Sequence, residues 1–377
     1  MKVYFDNAAT TKIDEKVFEA MVPYLKDLYY NPSSLYIEAR QVEHQIFQSR
    51  KQVADLINAT PEEIVFTGSG SESDNMAIKG VAFSRAHKGK HLITSQIEHH
   101  AVLDAFQWLE TQGFEVTYLP VTKDGLVDPE SVRSAIRKDT ILISVMWVNN
   151  ETGMINDMKR LSEIKNDYGI LLHTDAVQAL KTEVIDVKAF DIDLLSISAH
   201  KVNGPKGIGA LYQKQTLDLV PLIHGGKQEF GKRAGTEAVA SIIGFGEAAT
   251  IHQQALTTTK AHMAKIKKEF INKISVLDDF VINGAQTNCS SAILNLGFAG
   301  IQSEPLLLHL NRSGICASMG ASCNSKTIEP SYVLKAMAVP MVYINGCVRF
   351  SFGKYNTLEE VHYTAKELIR IVKRLRG

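Results

Sequence analysis

The sequence predicts an α/β protein: a large domain with a mostly parallel central sheet flanked by helices, and a smaller α/β domain at the C-terminal end. Three observations carry that prediction. Short apolar runs at 64–66, 92–95, 115–119, 140–147, 170–174 and 193–198 are separated by stretches of helical periodicity, the pattern of βαβ units. The pattern changes after about residue 255. And 377 residues are more than one small core organises.

In order along the chain, Val42, Ile46, Val53 and Ile57 keep one helical face apolar through 39–58. Ile64-Val65-Phe66 follows as a strand, then a Gly/Ser turn and a helix from about Glu72. Asp128-Pro129 is an N-cap and first-turn pair for a further helix. Beyond 255 a polar-faced helix is expected over about 255–275, with strands near 291–296 and 346–352 and helices at about 303–312 and 331–337. Thr357 and Glu360 have capping-box spacing, and Val361, Ala365, Leu368, Val372 and Leu375 form the apolar face of the last helix. The expected division is 15–255 and 256–377, with residues 1–14 joining the smaller domain.

Lys plus Arg and Asp plus Glu both number 41, so no net field draws the chain to nucleic acid or anionic lipid. No apolar run approaches the ~20 residues that cross a bilayer. The opening MKVYFDNAATTK places Asp6 and polar residues where a secretory signal has its apolar stretch, so a cytoplasmic location is expected. The four cysteines, at 289, 316, 323 and 347, include no CxxC pair, which argues against a zinc site, a dithiol motif and a disulfide framework. The question becomes which single thiol reacts.

Three motifs bear chemistry. Thr67-Gly68-Ser69-Gly70-Ser71-Glu72 joins a strand to a helix, where backbone N–H groups and the positive helix end suit a phosphate; a ligand-free tight turn explains it equally well. Ser73 stands where a dinucleotide fingerprint has its third glycine, and no Gly-Lys-Ser/Thr follows. Asp175, in Leu172-His173-Thr174-Asp175-Ala176-Val177-Gln178, ends an apolar strand; it could cap a helix, or keep a pyridine ring nitrogen protonated. Lys201 closes Ser196-Ile197-Ser198-Ala199-His200-Lys201 ahead of a Gly-Pro loop, a place for a Schiff-base lysine rather than a solvated charge. Together the three are the ingredients of a pyridoxal-phosphate site.

At this point the chain resembles the NifS/IscS-type cysteine desulfurases, of the class V aminotransferase group of fold type I pyridoxal-phosphate enzymes. The motifs are YFDNAATT near the start, NPSS at 31–34, ESDNMAIKG at 72–80, VNNETG at 148–153, HTDAVQ, SAHKVNGPKGIGALY, HGGKQEFGKRAGTEA at 224–238, EPSYVLKAM at 329–337 and VRFSFG at 348–353. The resemblance implies that Lys201 binds the cofactor, Asp175 pairs with the pyridinium nitrogen, Gln178 bonds the phenolic oxygen and His99 stacks on the ring. Gly70, Ser71, Ser198 and His200 would hold the phosphate, with Thr236 reaching it from a partner subunit, so a homodimer is implied. Asn150 would lie beside the cofactor, and Arg349, helped by Asn31, would bind the substrate carboxylate. Without the resemblance, Arg349 could be a packed strand residue, Asn150 a turn residue, and His100 is a helix-start residue without a chemical duty.

Cys289, Cys316 and Cys347 lie at apolar runs, where a small, inert, buried side chain is expected. Cys323 sits instead in the polar loop Gly320-Ala321-Ser322-Cys323-Asn324-Ser325-Lys326, suited to a thiol that meets two partners, and its spacing to Pro330 matches the family's catalytic loop. The implied reaction takes sulfur from L-cysteine, leaves L-alanine and puts a persulfide on Cys323 for a sulfur acceptor in iron–sulfur cluster assembly or tRNA thiolation. His99 or Lys201 could take the thiol's proton. Two departures stand out: the loop has Ala-Ser-Cys where the family commonly has Ser-Ala-Cys, and Tyr36 stands where it usually has His. The rival readings are a selenocysteine lyase or a transaminase of the same fold, which in the second case has no use for Cys323, and a non-catalytic scaffold.

Overall fold

The computed structural model describes residues 1–285, 287–319 and 330–377. Its strands are β1 (Val3–Tyr4), β2 (Ile64–Thr67), β3 (His91–Ser95), β4 (Glu115–Leu119), β5 (Thr140–Ser144), β6 (Leu171–Asp175), β7 (Leu194–Ser198), β8 (Gly209–Gln213), β9 (Phe280–Asn283), β10 (Ile293–Phe298), β11 (Ile315–Cys316) and β12 (Cys347–Ser351). Seven of them form one sheet in the order β2-β8-β7-β6-β5-β3-β4. Every pairing in it is parallel except those of β8, which runs antiparallel to β2 and β7.

Alternation along the strands explains the two covered faces. Ile64, Phe66, Ile143, Leu172, Leu195 and Ile197 enter one core with helices Ile37–Leu56 and Val239–Ile274. Val65, Leu142, Leu171, Leu194 and Leu211 enter another with helices Gly70–Arg85 and His100–Thr111. Each fully buried side chain of this size contributes roughly 1.5–3 kcal/mol. A third core gathers Phe5, Phe270, Phe298, Phe350 and Phe352 around the antiparallel sheet β9-β10-β12 and helix Leu358–Arg376.

Three details differ from expectation. The helix after the Gly/Ser turn starts at Gly70 rather than Glu72, because the Ser69 side chain caps it by accepting from Glu72 N. β8 was not anticipated; it is a short return strand after the Gly-Pro loop, with Gly207 at φ +77° turning into it. And the long helix begins at Val239, not near 255. Its first turns, VASIIGFGEAA, are apolar almost all round and buried, so they lack the one-sided stripe that marks a surface helix. Gly246 permits that burial, since a Cβ there would come within 2.7 Å of Ser49 Cα. Residues 255 and 256 lie inside this helix; Ile242, Phe245 and Ala249 before them join the first core, and Met263, Ile266 and Phe270 after them join the third.

The N-terminal segment runs between the sheets. β1 pairs in parallel with β11, and Asp6 bridges to Ser351 of β12. Among the described residues no helix is long and apolar enough to cross a membrane.

Candidate active site

A cavity of about 460 Å³ opens at the carboxyl ends of the parallel strands, where open α/β sheets place ligands. Ten of the expected positions line it: Gly70, Ser71, His99, Asn150, Asp175, Gln178, Ser198, His200, Lys201 and Arg349.

The turn after β2 is built closely. Glu72 reaches back to accept from Gly68 N at 2.8 Å and is held in turn by Arg233 Nε at 2.8 Å. Gly209 of β8 lies beneath, where a Cβ would sit 2.6 Å from the Ser69 carbonyl carbon. The turn and the start of the sixteen-residue helix Gly70–Arg85 thus present free N–H groups and a positive dipole end to the cavity.

Lys201, just past β7, donates to Ala8 O at 2.6 Å and Ala9 O at 2.9 Å. Burial, with the nearby Arg349 guanidinium, pushes its amine down to about 8, against the pull of Asp175 and Asp6. A less protonated amine is a better nucleophile. His200 is pushed down to about 4 by burial and by the surrounding lysines, so it is neutral; its Nδ1 lies 3.1 Å from Thr10 Oγ1.

Asp175 ends β6. Its Oδ1 accepts from Val177 N at 2.9 Å, a bond within the turn rather than a helix cap, since Gln178 is the N-cap of the short helix that follows, and the side chain lines the cavity. Burial raises its pKa, and His99, the Val177 N–H and Lys201 oppose the rise. Gln178 gives one N–H to Ala8 O at 2.9 Å and keeps a second, and its Oε1 is buried without a partner. His99 is the N-cap of helix His100–Thr111: its Nδ1 accepts from Ala101 N at 3.1 Å. That commits the Nδ1 lone pair, so the ring is neutral with its proton on Nε2; burial lowers its pKa in the same sense. His100, at the helix start, faces Asp104 and the Tyr332 ring instead.

Arg349 of β12 donates to Asn150 O and to Asp6 Oδ1, both at 2.9 Å, while its Nε–H is buried and unpartnered. Pairing and packing are real here, and a donor is still left for a ligand. Asn150 does sit in a turn, with a buried, unpartnered Oδ1.

Two of the expected residues that are described, Asn31 and Thr236, are not among the lining. Asn31 is exposed and its Oδ1 accepts from Ser33 N. Thr236 is exposed and does not line this chain's cavity. Cys323 lies outside the described residues. Of the other thiols, Cys347 is buried and pushed up to about 12 by burial, but Cys289 and Cys316 are only half-buried, which corrects the expectation for both. Alternation in β11 turns Ile315 inward and Cys316 away, and Cys289 precedes its strand, beside Lys267 Nζ at 3.4 Å.

Sequence reasoning missed Asp74 and the carbonyls of Asn7, Ala8 and Ala9, which accept from Lys181, Gln178 and Lys201. Asp74 stands inside the ESDNMAIKG motif, four residues past Gly70, which was the available signal.

The residues fit the cofactor that the resemblance implies. Asp74 Oδ1, Asn150 Oδ1, Gln178 Oε1 and Arg349 Nε are buried polar atoms without partners on cavity-lining side chains; such atoms call for a polar ligand. A two-faced α/β sheet with a nucleophilic amine at its strand ends defines an enzyme of amino-group chemistry. The Aminotransferase class-V family matches residues 3–364. The chain is 46% identical over 376 residues to "Cysteine desulfurase IscS" of Dictyoglomus turgidum, covering 100% of this chain and 95% of the relative. It is 47% identical over 375 residues to "Cysteine desulfurase IscS" of Methanosarcina thermophila, covering 100% and 93%. Among solved structures, a "NIFS-LIKE PROTEIN" superposes with TM-score 0.94 at 34% identity, over 99% of this chain and 100% of that one. "SspA in complex with cysteine" superposes with TM-score 0.84 at 39% identity, over 94% and 100%. The chain belongs to the class V aminotransferase family and, within it, to the IscS-type cysteine desulfurases.

Proposed function

We propose that this chain binds pyridoxal phosphate in the cavity and moves the sulfur of L-cysteine onto Cys323, releasing L-alanine. The observation that carries the reading is the convergence of Lys201, Asp175 and Arg349 on one cavity from two different sheets. When bound, the cofactor supplies an electron sink for bond changes at the amino acid.

The chain's own residues do the rest. Lys201 offers an amine aimed by the Ala8 and Ala9 carbonyls. Asp175 supplies negative charge for the ring nitrogen, and Gln178 its second N–H for the phenolic oxygen. Gly70, Ser71, Ser198 and His200 take the phosphate end. Arg349 and Asn31 take the substrate carboxylate. His99 faces the ring with its proton on Nε2; since Nδ1 caps a helix, Lys201 is the better acceptor for the Cys323 proton. The net change balances without an outside oxidant: the carbon–sulfur bond of cysteine becomes carbon–hydrogen, and the Cys323 thiol becomes a persulfide. That persulfide passes to an acceptor of iron–sulfur assembly or tRNA thiolation, in the cytoplasm, where thiols stay reduced. Thr236, exposed and not among the lining of its own cavity, serves the neighbouring site of a homodimer.

Incubation with L-cysteine and a reductant tests the reading. Alanine and sulfide should appear in equal amounts, and Cys323→Ser should abolish both in steady state. Full sulfide release by that variant would refute the role of the thiol.

A further inference from the structure

Beneath the cavity floor a row of polar side chains crosses the centre of the sheet, where apolar residues are the rule. Ser196 of β7 lies 3.1 Å from His173 Nε2 of β6, and His173 Nδ1 lies 2.8 Å from Ser144 Oγ of β5. Asp74, from the first turns of helix Gly70–Arg85, lies at the end of the row, with its Oδ1 3.6 Å from the same His173 Nε2 that Ser196 meets. All four side chains are buried. Each link joins one hydroxyl, ring nitrogen or carboxyl to the next, so one added proton decides the direction of the whole row.

Two carboxyls therefore meet at the floor, Asp74 and Asp175, and their settings differ. Asp175 Oδ1 receives the Val177 N–H, and Lys201 and His99 flank it on the cavity side. Asp74 Oδ1 is buried with no donor at all; the titratable groups facing it are His173, Asp175 and Glu98. A buried carboxylate with one oxygen left without a donor is costlier than a buried carboxylic acid. His173 cannot compensate by taking up a proton, since burial holds its ring neutral, at about 3.

We propose that Asp74 is a positioning residue that keeps a proton beside Asp175 and heads a one-way hydrogen-bond chain, Asp74 to Ser196 to His173 to Ser144. In this chain the Asp74 carboxyl donates to Ser196 Oγ, Ser196 donates to His173 Nε2, and His173 Nδ1–H donates to Ser144 Oγ. Asp175 is then the single negative charge at the floor, which rests on its reading as the partner of the cofactor's ring nitrogen. Burial raises the Asp74 carboxyl well above its ordinary range, and the neighbouring Asp175 charge adds to the rise, in keeping with the assignment.

The ring of His173 reports the direction. With the acid at Asp74, His173 carries its hydrogen on Nδ1; with a carboxylate there, the chain reverses and the hydrogen moves to Nε2. Nitrogen NMR of the cofactor-loaded protein, labelled at histidine and assigned with His173→Gln, should show the Nδ1–H form. Asp74→Asn, whose amide donates as the acid does, should leave it unchanged, while Ser196→Ala should lose the preference. An Nε2–H ring in the unaltered protein, or a switch to Nδ1–H on Asp74→Asn, overturns the proposal. The first of these readings needs no variant to fold. Failure of the cofactor reading shows separately, as a protein that gains no visible absorbance with pyridoxal phosphate.

Discussion

Cofactor capture by Lys201 should switch on with a midpoint near pH 8, more than two units below an ordinary lysine. Burial is the main cause, the Arg349 guanidinium the second, and together they bring the amine from 10.5 to about 8. At pH 7 a group titrating at 8 is roughly one-tenth neutral, whereas one at its unperturbed value of about 10.4 is neutral in fewer than one molecule in a thousand. The site therefore offers roughly a hundredfold or more free amine at neutrality. Protein freed of cofactor, mixed rapidly with pyridoxal phosphate between about pH 6 and 10 and followed by visible absorbance, should give a rate rising about tenfold from pH 7 to a plateau above 8. Arg349→Gln removes a positive neighbour and should move the midpoint upward; Arg349→Lys should leave it close to 8. A native midpoint near 10, or one indifferent to Arg349→Gln, would refute the electrostatic account of this amine.

Two substitutions test the scaffold around the turn after β2. Glu229→Ala leaves Arg50 buried without its carboxylate, which it meets through two hydrogen bonds, and strips the acceptor from Phe66 N on edge strand β2; denaturant unfolding should show a loss of roughly 3–5 kcal/mol, and a loss below 1 would sink the idea. Gly209→Ala forces a Cβ to 2.6 Å from the Ser69 backbone and 2.9 Å from Gly70 N. Displacing that turn should weaken retention of pyridoxal phosphate about tenfold, or ~1.4 kcal/mol, yet spare pyridoxal, which lacks the phosphate; equal losses for the two, measured by equilibrium dialysis, would contradict it.

Much of the architecture was visible in the sequence because parallel strands buried on both faces are continuous apolar runs. The positions of Gly70, Asp175 and Ser198 followed from the same logic, as each ends a strand or starts the helix after one, and Lys201 lies three residues past β7. What stayed hidden depends on contacts distant in sequence. β8 is five residues of mixed character whose strand geometry comes from pairing with β2 and β7. The first turns of helix Val239–Ile274 carry no stripe because neighbours cover them on several sides. His173, Ser196 and Ser144 look like ordinary polar interruptions of apolar runs, and only their alignment across three strands makes a row of them. Asn31 and Thr236 could not be placed from local pattern, since nothing in either segment says where the chain around it runs.

The N-terminal segment shows how far such contacts reach into the chemistry. Residues 6–9 have no periodicity of their own, yet they contact both the amine and the guanidinium. On one side, Ala8 O and Ala9 O hold the Lys201 amine and Asn7 O holds Lys181. On the other, Ala8 N donates to Ser351 Oγ at 2.7 Å, and Asp6 holds Arg349 at 2.9 Å. Lys201 follows the seven-stranded sheet and Arg349 lies in the three-stranded one, so neither sheet alone contains both groups that an amino acid would touch. A ligand whose amino end meets Lys201 and whose carboxylate meets Arg349 is measured against this short stretch of backbone.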